Sequence, residues 1–307
     1  MNTELRDGLR TRMRVIAELG QRCPSTAWSV ALSAALKRVC SPLFPQEVRE
    51  VLCADPEVIV CGSTTPLRAR AERTGYGFSI SGRWRATAGC QESVWSVLAV
   101  PMQVKVRARG QLHLSCVALV STRDLVVERT SPATGDTLVA QDVVVPPAHV
   151  VIPMSEADSA PGALAASTAL LAMVVVTLAP LLGAAHAAQR ATGTSLSGAG
   201  SATRRALHVA DVLDALPDAH GQPACLPAQQ QAQLWAELVS AEQECRAALE
   251  KLLDLHWAGG LAPDVPLRRF WRDVAVITRG PQFSPHTIAE DYGRVLFGPG
   301  AADLPWT

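Results

Sequence analysis

The chain has 307 residues, with 28 Lys and Arg set against 28 Asp and Glu for a formal charge of zero. That length can bury a substantial core in one large or two to three small domains. The balanced charge gives no electrostatic case for nucleic acid or an anionic membrane. Eight cysteines are scattered without a C-x-x-C, several inside apolar runs such as Val60-Cys61 and Ser115-Cys116-Val117. This spacing argues against a zinc site or a disulfide framework and for free thiols in a reducing cytoplasm. Lysine is nearly absent (Lys37, Lys105, Lys251) while Ala and Arg abound, as in a GC-rich bacterial gene.

In chain order, MNTELRDGLRTR is charged and lacks an apolar h-region, so no secretory leader is expected. Leu5, Leu9, Met13, Ile16 and Ala17 then recur at helical period, and a second helix is expected from Thr26 to Val39, with Ser25 as its cap. Pro42 and Pro45 punctuate, and a short helix is expected from Pro45 to Leu52. From Glu57 to Ile152 the character changes to short β-rich runs: EVIVCGS, YGFSISGRW, VWSVLAVPMQVKV, QLHLSCVALVS, DLVVE and TLVAQDVVVP. Phe78, Ile80 and Gly82, and Leu112, Leu114 and Cys116, alternate with period two. One antiparallel barrel or sandwich of about six to eight strands is expected, closed by Pro146-Pro147.

From Pro161 to Gln189 the chain has no charge and passes a transmembrane length test. A helix apolar all round is either a membrane span or a buried core helix. The interior Pro180, the missing basic and aromatic flanks and the many small residues favour the core. ATGTSLSGAGSAT (191–203) reads as a flexible loop or as a helix end plus linker, and GAGSA completes no dinucleotide fingerprint. A short helix follows at Arg204–Leu216. A long amphipathic one at Ala228–Trp257 carries the stripe Leu234, Leu238, Ala241, Cys245, Leu249, Leu252 and His256. After Gly259-Gly260 another helix starts near Leu267, with Leu267, Phe270, Trp271, Val274 and Ile277 on its packing face and Arg268, Arg269, Arg272 and Asp273 charged. A last helix is expected at Ser284, with Pro285 at its first position. Helices, a β-domain and more helices give domains at 1–56, 57–152 and 153–307.

Three stretches carry a family resemblance. RCPSTAW (22–28), SGRWRATAGCQESVW (81–95) and the C-terminal pattern AGG…PLRRFWRD…R-x(5)-P-x(3)-AEDYGRVLFG resemble, in that order, segments of the acyl-CoA dehydrogenase fold. More narrowly they resemble the reduced-flavin-dependent, two-component monooxygenases built on it. The similarity runs over nearly all of the chain but not over that family's first helices. It implies an α+β protein with a truncated N-terminal helical part, a central β-barrel or sandwich and a C-terminal four-helix bundle. The apolar 161–189 segment becomes the first helix of that bundle.

The same resemblance implies FMN or FAD, reduced by a separate flavin reductase, lying between β-domain and bundle. It also implies an aromatic or polyketide-like small-molecule substrate of secondary metabolism and a homodimer or homotetramer. Trp84 would be a stacking wall, with Gly89 and Cys90 as backbone donors and Thr134 and Gly135 in the segment that approaches flavin. Arg269 and Asp273 would anchor the bundle. For Trp84 the plainer alternative is a half-buried strand aromatic. Several positions depart from the pattern: Ala88 stands for a serine, Gln91 and Glu92 for an Asp-His pair, and Pro132-Ala133 for Arg-Gly. Arg279 is followed by Gly280 where the family has an acid–base histidine. His286, six residues further on, is the catalytic candidate, although a lone histidine at a helix start is more often a surface residue. These departures keep open a second reading: a flavin-independent homologue serving as a cofactor-free cyclase or isomerase, or as a non-catalytic subunit of a heteromer.

Overall fold

The computed structural model describes residues 8–55, 57–63, 66–86, 88–106, 110–128, 136–152, 160–216, 225–256 and 266–278. In chain order the elements are α1 (Leu9–Arg22), α2 (Pro24–Cys40), α3 (Gln46–Cys53), β1 (Val60–Ser63), β2 (Pro66–Thr74), β3 (Gly77–Arg85), β4 (Trp95–Val106), β5 (Gly110–Ser121), β6 (Val126–Glu128), β7 (Thr137–Val145), β8 (Val150–Val151), α4 (Ala160–Thr192), α5 (Ser197–Asp214), α6 (Ala228–Leu255) and α7 (Pro266–Ile277). By contacts the chain forms two units, one from 1–31 with 156–307 and one from 32–155. The helices expected to form a separate 1–56 domain therefore divide between the two, because α1 packs on α4 while α3 joins the β-unit.

In the helical unit, α4 runs 33 residues with Pro180 inside it. It is long and apolar enough to cross a membrane, but most of its apolar stretch is buried among α1, α5, α6 and α7. Such a helix has no polar face to turn outward, so it needs cover on every side. The cover from α1 is backbone on backbone. A Cβ on Gly183 would lie 2.1 Å from the Ala17 carbonyl oxygen and 2.9 Å from the Gln21 nitrogen, and one on Gly20 would lie 2.8 Å from the Pro180 carbonyl oxygen. The Asp214 carboxylate of α5 caps α1 from outside, accepting from Leu9 N–H at 2.7 Å and Arg10 N–H at 3.1 Å. It thereby satisfies donors that the helix cannot pair itself.

Two local expectations change. Cys23, not Ser25, precedes α2, and Pro24 takes the first helical position, where its missing N–H is no loss. GAGSA belongs to α5, not to a loop. Its small residues bring α5 close to α6: a Cβ on Gly198 would sit 3.2 Å from the Glu244 carbonyl oxygen. The loop between α4 and α5 shrinks to four residues, opening at Gly193 with φ +66°, a usual helix stop.

The buried stripe of α6 has one charged member within the apolar run. Glu242 is 6% exposed between Leu238 and Cys245, its Oε1 has no hydrogen-bond partner, and Arg246 stands 3.8 Å away. Desolvation raises its carboxyl pKa above the ordinary value.

The β-unit is one eight-stranded sheet in the order β6-β7-β3-β2-β4-β5-β8, with β1 also on β4. It is a curled, open sheet rather than a closed barrel, and no ladder among the described residues joins β6 to β8. Most pairings are antiparallel as expected, but β1 and β2 both run parallel to β4 (Val60↔Trp95, Ala71↔Met102). Both strands follow one edge of β4 in the same direction. Where β3 meets β7 the register shifts between Ile80 and Gly82, and Asp142 takes φ +49°. A reciprocal pair secures this bulge: Ser81 Oγ donates to Asp142 Oδ1 at 2.6 Å and accepts from Asp142 N–H at 3.0 Å.

Two outcomes test this packing. Gly183→Ala is expected to cost about 3 kcal/mol or more in chemical denaturation, because its methyl meets backbone that cannot move aside. The same change at Gly200, where the nearest atom is the far end of Arg204 at 3.9 Å, should be neutral or stabilise by about 0.5–1 kcal/mol. For Glu242 the folded pKa is raised, so the folded state holds its proton more tightly and stability falls as pH rises above the unfolded value near 4.5. Glu242→Gln should therefore raise Tm at pH 7–8 by about 2–4 °C for a gain of about 1 kcal/mol. The gain should fade as pH approaches 4.5, and an equal effect at both pH values would contradict the assignment.

Candidate functional site

The β-unit gathers the candidate groups around the turn between β3 and β4. At the end of β3 the side chain of Trp84 is 0% exposed, and its indole N–H donates to the Ala99 carbonyl at 2.8 Å. Because β2 lies between β3 and β4, the indole ties together two strands that share no ladder. The ring packs in the sheet's apolar core, fully buried rather than the half-buried strand aromatic of the plainer expectation.

The chain leaves β3 through Ala86, whose N–H donates to the Asp136 carbonyl at 2.9 Å. Gly89 then takes φ +81°, a region that costs a residue with a Cβ but not glycine. Gln91 Nε2 donates to Asp136 Oδ2 at 2.8 Å, and the Cys90 thiol lies 3.6 Å from the same oxygen. On its other side the turn is held by Ser93, whose hydroxyl donates to the Cys90 carbonyl at 2.9 Å. That hydroxyl also touches Cys61 Sγ and Thr122 Oγ1, both at 3.1 Å, and Ser96 completes the cluster 2.9 Å from Thr122. No group among the described residues takes the main-chain N–H of Gly89 or Cys90.

The electrostatics keep this turn quiet. Burial, with lesser help from Cys61 and Asp136, pushes the Cys90 thiol up to about 12, and burial likewise raises Cys61. Both remain protonated near neutrality, so Cys90 is an S–H donor to Asp136 rather than a nucleophile. Asp136 directly follows Thr134 and Gly135, which lie outside the described residues. The structure therefore joins the Gly89–Cys90 turn to the residue at the end of the other expected segment. Asp136 was not singled out in the sequence. Its role as the clamp was missed, because the partners stand 45 residues apart.

Arg269 and Asp273 belong to the helical unit. Arg269 donates to the Arg22 carbonyl at the end of α1 and lies over the Phe270 ring, 5.5 Å from its centroid. Beside it Cys23 ends α1 and begins α2: its N–H donates to Leu19 and its carbonyl accepts from Ala27 N–H. The Ser25 hydroxyl, then Thr26 Oγ1 at 3.0 Å, lower the thiol's pKa, with Arg269 a minor influence. Asp273 pairs with Arg272 at 3.4 Å. Arg269 thus ties α7 to the end of α1, whereas the Asp273 pair stays within α7, whose buried face is Leu267, Phe270, Val274 and Ile277. The expected Arg279, Gly280 and His286, with the helix from Ser284, lie outside the described residues. Among those described, no group of three or more His, Cys, Asp or Glu is arranged for a metal ion.

No protein-family model matches the chain. The oxygenase component of an FADH2-dependent resorcinol hydroxylase from Rhizobium sp. is 30% identical over 149 residues, a match that covers 46% of this chain and 35% of that protein. XiaF from Streptomyces sp., solved in complex with FADH2 and glycerol, superposes with a TM-score of 0.76 at 26% identity, over 97% of this chain and 83% of XiaF. TdsC from Paenibacillus sp. A11-2, solved with FMN and indole, gives a TM-score of 0.75 at 14% identity, over 96% and 86%. The chain therefore has the acyl-CoA dehydrogenase fold, and its structural relatives are reduced-flavin-dependent monooxygenases built on that fold.

Proposed function

We propose that this chain is the oxygenase component of a reduced-flavin-dependent monooxygenase that tailors small molecules of secondary metabolism. The observation that carries this reading is the clamped turn of the β-unit. Among the described residues no group takes the main-chain N–H of Gly89 or Cys90, and Asp136 fastens this turn to the end of the Thr134-Gly135 segment. Main-chain N–H groups at a glycine of positive φ fit the polar edge of a flavin ring. Trp84, enclosed in the core, does not fit the stacking wall.

The cofactor in this reading is FMN or FAD, delivered reduced by a separate flavin reductase. When bound it supplies the two electrons that activate O2, so that one oxygen atom enters the substrate and the other leaves as water. The protein's own part is to hold and to exclude. Gly89 and Cys90 donate to the flavin edge, and Thr134 and Gly135 are further flavin-binding residues. Arg269 and Asp273 fix the last helix of a four-helix bundle that assembles as a homodimer or homotetramer. His286 is the candidate acid–base, since an imidazole changes charge near neutral pH. The substrate is an aromatic or polyketide-like molecule, and the enzyme works in the cytoplasm.

The buried indole of Trp84 favours a second reading, in which the fold has lost flavin and serves as a cyclase, an isomerase or a non-catalytic subunit. Titration with FMN and FAD, followed by flavin fluorescence, separates the two. Saturable quenching is expected, while a flat response at high flavin concentration would remove the monooxygenase in favour of the second reading. With a reductase and an accepted substrate, His286→Ala should lower turnover by about 10²–10⁴-fold at unchanged flavin affinity. Unchanged turnover would release His286 from its role.

A further inference from the structure

The turn that follows β3 turns on the positive-φ Gly89 and is held on both sides of it by one residue. Upstream, Ala86 N–H donates to the Asp136 carbonyl at 2.9 Å; downstream, Gln91 Nε2 donates to the Asp136 carboxylate at 2.8 Å. The Cys90 thiol adds a third contact to the same carboxylate oxygen at 3.6 Å. A glycine at φ +81° imposes little restraint of its own, so the position of the neighbouring N–H groups depends on these outside contacts and on the Ser93 hydroxyl, which donates to the Cys90 carbonyl at 2.9 Å. Of the three, the Gln91 bond is a well-formed, charge-assisted one, and a donor to a carboxylate is worth more than a neutral pair. The thiol contact is long and weak. The main-chain contact from Ala86 would survive any side-chain change at 91 or 136.

We propose that the Gln91–Asp136 hydrogen bond is a positioning device: it holds the Gly89–Cys90 main chain as a rigid pair of donors for the bound flavin. Both side chains are positioning residues and act through the backbone between them. This rests on the flavin reading, which it deepens by naming what keeps the donors in place. The choice of side chain at 91 matters for a stated reason. A carboxylate there would set two like charges at hydrogen-bond distance, and an aliphatic side chain would leave the Asp136 oxygen without its strongest donor.

An exchange of donor and acceptor tests it. Wild type, Gln91→Glu, Asp136→Asn and the double variant Gln91→Glu/Asp136→Asn are titrated with FMN and with FAD. Tm and the visible absorption band of the bound flavin are recorded alongside. Gln91→Glu is expected to weaken flavin binding about tenfold, the equivalent of one lost charge-assisted hydrogen bond, and to shift the bound flavin's band. In the double variant the Asn amide donates to the new Glu carboxylate, so affinity and band should return to within about threefold of wild type. If Gln91→Glu does not fold, Gln91→Leu reads the same loss without the added charge. Variants of Gln91 that lower Tm but bind flavin with unchanged affinity and spectrum overturn this inference alone. A double variant no better than Gln91→Glu at equal Tm does the same. A wild type that binds neither flavin overturns both this inference and the monooxygenase reading.

Discussion

The constraint that organises the helical unit is a helix with nothing to show to water. From 160 to 189 the chain carries no charge, and a 33-residue helix of that composition must be covered all round. Cover that close is possible only where side chains are absent, and Gly20 and Gly183 let α1 and α4 meet through their backbones. The other helices complete the shell: α5 and α6 approach through small residues, and α7 lays down its face of Leu267, Phe270, Val274 and Ile277. Polar groups pulled into this shell are paired where possible. Thr168 takes donors from Leu226 N–H and the Gln231 amide, and His186 meets Thr203 at 2.9 Å. Glu242 stands apart, because Arg246 is near enough to attract it but not to hydrogen-bond.

The β-unit solves a different problem, which is to hold a short irregular turn as firmly as its strands. Its means are side chains that reach past their neighbours in the sheet. The Trp84 indole ties β3 to β4, Ser81 secures the bulge at Asp142, and the Ser93–Thr122–Ser96 hydroxyls sit with Cys61 beneath the turn. The Ser93, Thr122 and Ser96 hydroxyls satisfy one another, and a network of that kind is stiff because every member loses a partner if one moves. The thiols within it stay protonated through burial, so the cluster contributes shape and hydrogen bonds rather than reactivity. A binding surface made of main-chain donors depends on such stiffness, since backbone groups discriminate only when they are held still.

Chemically, the described residues supply positioning and little else. Gln91 and Asp136 hold the Gly89–Cys90 turn, Arg269 ties α7 to the end of α1, and the Cys90 thiol is pushed up to about 12 by burial. That division suits a protein whose redox chemistry is carried by a bound cofactor, where the polypeptide supplies orientation and electrostatics.

Local pattern was enough to place most elements. The amphipathic repeats of α1, α6 and α7 and the period-two runs of the strands are consequences of one face being buried, and a single sequence records them. The motifs around Trp84, Gly89 and Asp273 likewise sufficed to point to a fold. What the residues alone left open was settled by contacts between distant segments. Composition already favoured the core for the uncharged helix, and its neighbour is identified only where α1 crosses it at two glycines. GAGSA read as a loop or as a helix end plus linker because its small residues carry no periodic signal; it lies in α5, against α6. Trp84 could have faced a ligand or the interior, and the Ala99 carbonyl decides for the interior. The carboxylate that fixes the turn stands 45 residues from its amide partner. Periodicity reports which face of a segment is buried but not what buries it, and the identity of that neighbour exists only once the chain has folded.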